Sequence, residues 1–553
     1  MADFKRLGVF LVSVYEDMDG ARWTKIFAAA LSLIAFARIL HAHLLMPLRR
    51  CGDEYGYIFF RFDDLATGLS GIRAPGFPLV VKFYELLFPH FGFWPTFQVA
   101  LFSVAVFWLY FNLISGRVRP VGAFAICAPL FLSGPAIAGA PFICSDGTAG
   151  IFTVAVAAAL ITARRTGGML PMAVLGLLST MTVLVRPAFL PLLPLLFVAW
   201  MCMSPPASQV RSLRARLREL VLLGLVLVAP LGLFVGYRYV LTGHLGLTAL
   251  GQLLLGGHAT AYLKAEHVAN LDGDVKEIAE RILDRRARLA APCALAADEN
   301  VGTRFPDDWL EGTRFEHLCY GAWYHTAMLA AFEFGTGKLP LADTGGTYTP
   351  WPPSGPSTQH PPSAAPTFGD PEPWSWGGDR WLHEEVLAGK NGRPGVYFDS
   401  LLGRYNKVIL AKERELYIRW LAGETVIAGE EFAAYLTDSR AVRWGGMVSV
   451  LLAAASIAFL LLCRRRARLY FRTLFGPLNV GERVVLMLGI GLPVLTTGLT
   501  ISIVYVYARY LDAPAVFVPA IAGLVCLRLM DALCMSLNPR ASPDRGTDPS
   551  GSV

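Results

Sequence analysis

Residues 211–241 read RSLRARLRELVLLGLVLVAPLGLFVGYRYVL. Arg211, Arg214, Arg216 and Arg218 lead into an apolar run over 219–241. A helix needs about 20 mostly apolar residues to cross the hydrocarbon core of a bilayer, so this run is long enough to span. Arginines gather on the cytoplasmic side of such spans, which gives the run a direction as well as a length. Working outward, the same reading places further spans at 26–46, 94–114, 121–141, 148–163, 169–185, 187–203, 443–463, 484–506 and 512–530. The fold class expected is an all-α polytopic membrane protein of about ten transmembrane helices.

Composition agrees. Hydrophobic residues make up 54% of the 553 and charged residues 16%, with a mean hydropathy of +0.47. Soluble domains carry about 25% charged residues, so a water-soluble enzyme with one large core is excluded. The 34 Phe, 12 Trp and 36 Pro exclude a coiled coil and wholesale disorder. A net charge of +7 raises nucleic acid as a partner, but the basic residues punctuate the apolar runs and form no single strip, so no nucleic acid is expected.

Lys5, Arg6, Arg22 and Lys25 precede the first span, Arg117 and Arg119 follow the second, and Arg164 and Arg165 follow the fourth. Arg464, Arg465, Arg466, Arg468 and Arg472 follow the eighth, and Arg483 precedes the ninth. Simple alternation of the spans puts every one of these clusters on one side, which is then the cytoplasm, with both termini inside. The apolar start, Leu7 to Val14, is too short to span and reads as an interfacial helix. The cytoplasmic connections are short and hold no P-loop. Chemistry therefore belongs on the outer face: a first loop over 47–93, a turn around 141–147, the Arg186-Pro187 corner, an insertion over 242–442 and the closing turn Arg509-Tyr510-Leu511-Asp512.

The first loop opens with Arg49-Arg50-Cys51-Gly52-Asp53-Glu54-Tyr55. At no more than about 3.6 Å per residue, Asp53 and Glu54 stay close to the bilayer surface. Tyr55, Ile58, Phe59, Phe62, Leu65 and Leu69 share a face at helical spacing, which predicts an amphipathic helix at the interface. Arg73-Ala74-Pro75-Gly76-Phe77-Pro78 is a stiff turn into a second apolar stretch, Leu79 to Phe88. Each charged residue here carries two readings. Asp53 is a helix cap or a general base, and Ser145 or Asp146 caps the fourth span or serves the same chemistry. Arg186 snorkels to the interface or binds a lipid phosphate. Arg38, His41 and His43, in the outer half of the first span, are read as snorkelling.

The acidic pair after the first span, the aromatic interfacial helix and the R-x-P-G-x-P turn (Arg73 to Pro78) resemble the GT-C glycosyltransferases. More narrowly, they resemble the protein-mannosyltransferase and aminoarabinose-transferase-like group. Asp146 at the second outer turn, Arg186-Pro187 at the third and Arg509-Tyr510 before the last span fit the same plan. The resemblance covers about 20–250 and, more loosely, the last spans. It implies an inverting transfer of a sugar from a polyprenyl-phosphate donor to an extracytoplasmic acceptor (glycan, lipid or protein). It also implies location in a bacterial inner membrane among membrane lipids. Carried over, Asp53 is the base, Glu54 supports it and Asp146 is a second acid. Arg73, Arg186, Tyr55 and Arg509 bind substrate or phosphate. Metal use stays open: if a divalent cation (Mg or Mn) takes part, Asp53 and Asp146 are its ligands.

The insertion departs from that plan, because about 200 residues interrupt the spans before the eighth. The domain reading is 1–241 as a GT-C-like membrane module, 242–442 as an extracytoplasmic insertion of mixed helix and loop, 443–535 as closing membrane helices, and 536–553 as a disordered cytoplasmic tail. Gly243 to Leu263 is apolar and glycine-rich, and Val275, Ile278, Ile282 and Leu289 predict an amphipathic helix. Met328 to Phe334 suggests another. Ten prolines from Pro340 to Pro373 predict an irregular loop with Trp351, Trp374, Trp376 and Trp381 in or beside it, read as anchors of the loop rather than as sugar-stacking platforms. Tyr405, Ile409, Leu416 and Trp420 share a helical face before the eighth span. Cys293 with Cys319, or Cys51 with Cys144, are the conceivable bridges in an oxidising space. His317, His325, His360 and His383 lack ligand spacing and read as structural. The competing function is a transporter or flippase of lipid-linked substrates; such proteins show paired repeats and mid-membrane charges, neither of which is evident.

Overall fold

The computed structural model describes residues 18, 20–49, 54–58, 60–132, 139–203, 213–289, 293, 309–336, 394–438, 440–462, 467–476, 478–503 and 513–537. Among them there is no strand, only an isolated bridge between Arg49 and Phe142. The helices run α1 (Ala21–Leu45), α2 (Glu54–Ile58), α3 (Leu65–Ser70), α4 (Gly76–Leu87), α5 (Trp94–Ser115), α6 (Pro120–Leu132) and α7 (Ser145–Thr166). Then come α8 (Met169–Val185), α9 (Leu192–Cys202), α10 (Leu213–Thr242), α11 (Gly251–Tyr262), α12 (Ala265–Ala269), α13 (Gly273–Ala287) and α14 (Trp309–Thr336). The last six described are α15 (Pro394–Lys412), α16 (Arg414–Asp438), α17 (Arg440–Leu462), α18 (Ala467–Leu474), α19 (Val480–Ile501) and α20 (Val518–Leu537).

Six stretches are helical, long and apolar enough to cross a membrane: Ala21–Leu45, Phe91–Ser115, Ser145–Thr166, Leu217–Thr242, Val480–Ile501 and Pro514–Met535. Shorter apolar helices cover Pro120–Phe131, Met169–Val185 and Pro187–Cys202. The chain is therefore a helical protein of several membrane spans. Among the described residues nine of the expected spans thus have a full-length or short apolar counterpart, and the expected 443–463 stretch falls on α17, which is in neither group. For one of the short ones the cause is local. Pro187 and Pro191 break the chain after α8 into a single 3-10 turn, leaving α9 only 11 residues long. At 1.5 Å per residue that is about 17 Å, well under the hydrocarbon thickness of about 30 Å.

Alternation of direction is visible in the side chains at the helix ends. At one end Arg119 pairs with Asp531 at 3.1 Å, and Arg528 pairs with Glu482. There too Arg483 donates to the Cys202 carbonyl at 2.7 Å, while Arg164 pairs with Glu219 and donates to the Met203 carbonyl at 2.7 Å. These contacts join the far ends of α5, α7, α9 and α20 to the starts of α10 and α19. Tyr110 adds the start of α1 by donating to the Thr24 carbonyl at 3.1 Å. The opposite ends of the first helices meet elsewhere, and they make the site described below. Helix α7 is the centre of the bundle, with 89% of its span buried, whereas the spans in α1 and α10 are 17% buried and form the periphery. Close approach is set by small residues: a Cβ on Gly523 would fall 1.9 Å from the Ala125 carbonyl oxygen, so α20 rests directly on the backbone of α6.

A second apolar core lies outside the spans. Leu253, Ile278, Ile282, Trp323, Leu402 and Ile409 meet there, and Ile72 of the first outer loop packs into the same core. Cys293 and Cys319 are disulfide-bonded, the first of the two conceivable bridges; Cys51 lies outside the described residues, and Cys144 keeps its thiol. Replacing Cys319 by Ser removes a cross-link with a sequence separation of 26. It should cost about 3 kcal/mol through the freed unfolded chain. Thermal unfolding of the detergent-solubilised protein should show this loss, and reductant should reproduce it in the wild type and leave Cys319→Ser unmoved.

Three sequence expectations change. The continuous helix over 55–69 is broken into α2 and α3, because Asp64 starts a new helix: its carboxylate accepts from the Thr67 amide at 3.2 Å and from the Thr67 hydroxyl at 2.5 Å. The face carrying Tyr405, Ile409, Leu416 and Trp420 belongs to two helices separated at Glu413. Met328 to Phe334 is the end of the 28-residue α14. The proline-rich stretch and the four tryptophans beside it lie outside the described residues, as do the 536–553 tail beyond Leu537, His360 and His383.

Candidate functional site at the loop end of the bundle

Five helix ends and the first outer loop converge opposite the arginine-rich end. The Arg49 amide donates to the Pro141 carbonyl at 2.9 Å, and the Trp94 indole donates to the Phe142 carbonyl at 2.8 Å. These two bonds fasten the turn before α7 to the end of α1 and the start of α5. The first loop is then seated by Gly76. A Cβ there would lie 2.4 Å from the Leu184 carbonyl carbon and 2.5 Å from the Val185 nitrogen, so only glycine lets the Arg73–Pro78 turn rest on the last residues of α8. Phe77, fully buried, stands edge-on to Tyr57 at 4.6 Å and to Trp94 at 5.8 Å.

Tyr57 is the hinge of the arrangement. Its hydroxyl shares a hydrogen bond with the Ser145 hydroxyl at 3.2 Å, and the Arg73 guanidinium carbon lies 4.9 Å from the centre of its ring. A cation over an aromatic face is attracted by the ring quadrupole, which fixes Arg73 beside the second outer turn. The next residue, Asp146, is in the first turn of α7, where the helix dipole favours a negative charge. Asp146 pairs with Arg186 and accepts from the Cys144 thiol at 3.0 Å. Both side chains of the pair are nearly buried, at 13% and 12% exposure. Arg186 reaches across because Pro187 disfavours helical backbone in the residue before it: Arg186 is extended, φ −145° and ψ 103°, directly after α8.

The structure thus brings together Arg73, Asp146 and Arg186 from the residues singled out in the sequence. Asp146 and Arg186 are each other's partners, so neither snorkelling nor capping describes them. The N-cap of α7 is Cys144, without a side-chain cap bond, and Ser145 faces Tyr57. Glu54 opens α2, and Tyr55 follows it; their side chains, together with Asp53 and Arg509, lie outside the described residues. His43 stacks on Phe93 at 5.6 Å. Among the described residues no group of three or more His, Cys, Asp and Glu side chains is arranged to hold a metal ion.

Two parts of this end were missed in the sequence. One is Tyr57, and the other is a buried polar network around Arg238 near the end of α10. Arg238 is 1% exposed. Its Nε donates to the Leu69 carbonyl at 2.8 Å, and Nη1 donates to the Gly246 carbonyl at 3.0 Å and to His244 Nδ1 at 2.6 Å. With Nδ1 accepting, the network assigns the proton of His244 to Nε2, which donates to Asp399 at 2.7 Å. The other Asp399 oxygen accepts the Gln252 amide at 2.9 Å. A guanidinium and a carboxylate are so linked through a histidine, and the chain of bonds runs from α10 to the first outer loop, α11 and α15. An arginine inside an apolar run is the one signal that could have flagged it.

No family model matches the chain, and no curated protein and no solved structure matches it.

Proposed function

We propose that the chain is a membrane glycosyltransferase of the GT-C type, moving a sugar from a polyprenyl-phosphate donor to an acceptor outside the cytoplasm with inversion. The observation that carries the reading is the meeting of Arg73, Asp146 and Arg186 with the first outer loop at one end of the bundle. A lipid-linked donor keeps its phosphate at the membrane interface, where such a site belongs. In the reaction, the acceptor hydroxyl oxygen attacks the anomeric carbon opposite the phosphate, the bond from that carbon to the phosphate oxygen breaks, and the hydroxyl proton passes to a carboxylate. Asp53 is the base in this reading and Glu54 its neighbour. Arg73 meets the charge that grows on the departing phosphate. Tyr55 and Arg509 complete the substrate contacts, and a divalent cation, if used, is held by Asp53 and Asp146.

The setting is a bacterial inner membrane with both termini cytoplasmic. Two features support it: the arginine clusters sit on ends that meet one another, and the disulfide belongs to the insertion, where an oxidising compartment is expected.

The test is transfer from a panel of radiolabelled polyprenyl-phosphate sugars in membranes holding wild type or Asp53→Asn at matched expression. Wild type should transfer from one donor, and the variant should fall by about a thousandfold, the middle of the range for loss of a general base. Transfer intact in Asp53→Asn removes that residue from the mechanism. Failure of the wild type with every donor overturns the donor class and favours a transporter of lipid-linked substrates.

A further inference from the structure

Helix α18 (Ala467–Leu474) is not one of the spans; it lies between the end of α17 and the start of α19 and packs on α20. Only one side of it is covered. Tyr470 is 3% exposed, whereas Phe471 and Phe475 are 47% and 77% exposed. Phe475 continues the last turn, its amide donating to the Phe471 carbonyl at 2.9 Å. The two rings are therefore neighbours on one helix face, stacked at 6.2 Å with their planes 5° apart. Arg472 is exposed as well and comes next round the helix, and Arg468 is one turn before it on the same strip. An aromatic strip and a basic strip thus lie side by side on the outward face, and Tyr470 is on the side turned from them.

The charge is one-sided too. Arg464, Arg465, Arg466, Arg468 and Arg472 are accompanied by no acidic residue between Asp438 and Glu482. Glu482 is paired with Arg528, and Asp531 of α20 is paired with Arg119. Topology alone accounts for arginines at this end of the bundle. It does not account for two phenyl rings left exposed beside them. A helix with aromatic residues on one strip and arginines on the next is suited to the plane of a bilayer surface, where rings reach the acyl boundary and guanidinium groups stay among phosphates.

We propose that α18 is a docking surface for anionic phospholipid in the leaflet at the arginine-rich end, with Phe471 and Phe475 set into the headgroup layer and the Arg468–Arg472 strip on lipid phosphates. Negative surface charge is the complement of this strip, and the attraction adds up arginine by arginine. Because α18 rests on α20, whose Arg528 holds the start of α19 through Glu482, the docked helix ties two closing helices of the bundle to the membrane surface. The docking is independent of any sugar transfer and is measured without it.

Hydrogen exchange of the full chain in lipid nanodiscs, read at the amides of 471–476, is the test. Protection should be about thirtyfold higher in discs of phosphatidylglycerol and phosphatidylcholine in equal parts than in phosphatidylcholine alone, about fivefold for each of the two arginines. The excess should shrink as salt is raised. Arg468→Gln combined with Arg472→Gln should lose the excess and keep the protection seen in phosphatidylcholine. Phe471→Ser combined with Phe475→Ser should lower protection in both discs. Equal wild-type protection in the two discs overturns the proposal whether or not the variants fold, and so does an excess that survives the double arginine substitution. Protection that follows the number of chains per disc assigns the face to a second copy, and protection gained only with an added soluble protein assigns it to that protein; either result removes lipid as the occupant.

Discussion

Arg238→Met should cost about 3–5 kcal/mol, the penalty of removing one member of a buried charge pair. The substitution keeps much of the stem volume and removes the donors. Asp399 then stays buried against His244 without the guanidinium behind it, and the carbonyls of Leu69 and Gly246 lose the donors that satisfied them. Asp399→Asn should cost less, because the Gln252 amide still has an oxygen to bond. The double variant should be more stable than the sum of the two losses, since it leaves no uncompensated charge. Thermal unfolding of the three purified proteins checks this; a loss under 1 kcal/mol for Arg238→Met would mean that water reaches the network.

The second large effect concerns the Asp146–Arg186 pair. Arg186→Ala leaves a carboxylate with the Cys144 thiol and the dipole of α7, and Asp146→Ala takes the carboxylate away from the Arg186 guanidinium. Each should cost about 3 kcal/mol, at the low end for a broken buried pair because both side chains keep some exposure. The double variant should recover at least 1.5 kcal/mol of the summed loss, within the range of coupling between residues in contact. Under the transferase reading, the fraction of either single variant that remains folded should be without transfer, which separates a chemical role from a structural one. Additive losses would show that the two residues do not interact in the membrane.

The bundle was legible because hydropathy and arginine placement report the same threading. The end-to-end contacts of Arg119 with Asp531 and of Arg164 with Met203 and Glu219 join the ends that alternation requires to be together. Span length was less legible, since Pro187 and Pro191 shorten α9 without lowering its hydropathy. In the first loop, a helical face was counted through 55–69 as though one helix ran across it. Asp64 resets the phase by capping α3, and Tyr57 and Phe60, which the counted face did not include, are buried. The Arg186-Pro187 corner was visible because proline dictates the backbone of the residue before it. Asp399 was not, because it meets His244 across 155 residues and nothing local marks either one.

The first outer loop has a consequence for modularity. In the chain, 242–442 resembles a cassette that could be excised at two points. In space the ownership is shared: Tyr57 and Phe77 belong to the bundle core, Ile72 belongs to the second core, and Leu69 is tied to Arg238. Excision would therefore leave a hole lined by the first loop and strip Arg238 of His244 and Asp399 at once. The heritable unit is the insertion together with residues 57–77, and a graft that moves one without the other moves half of an interface.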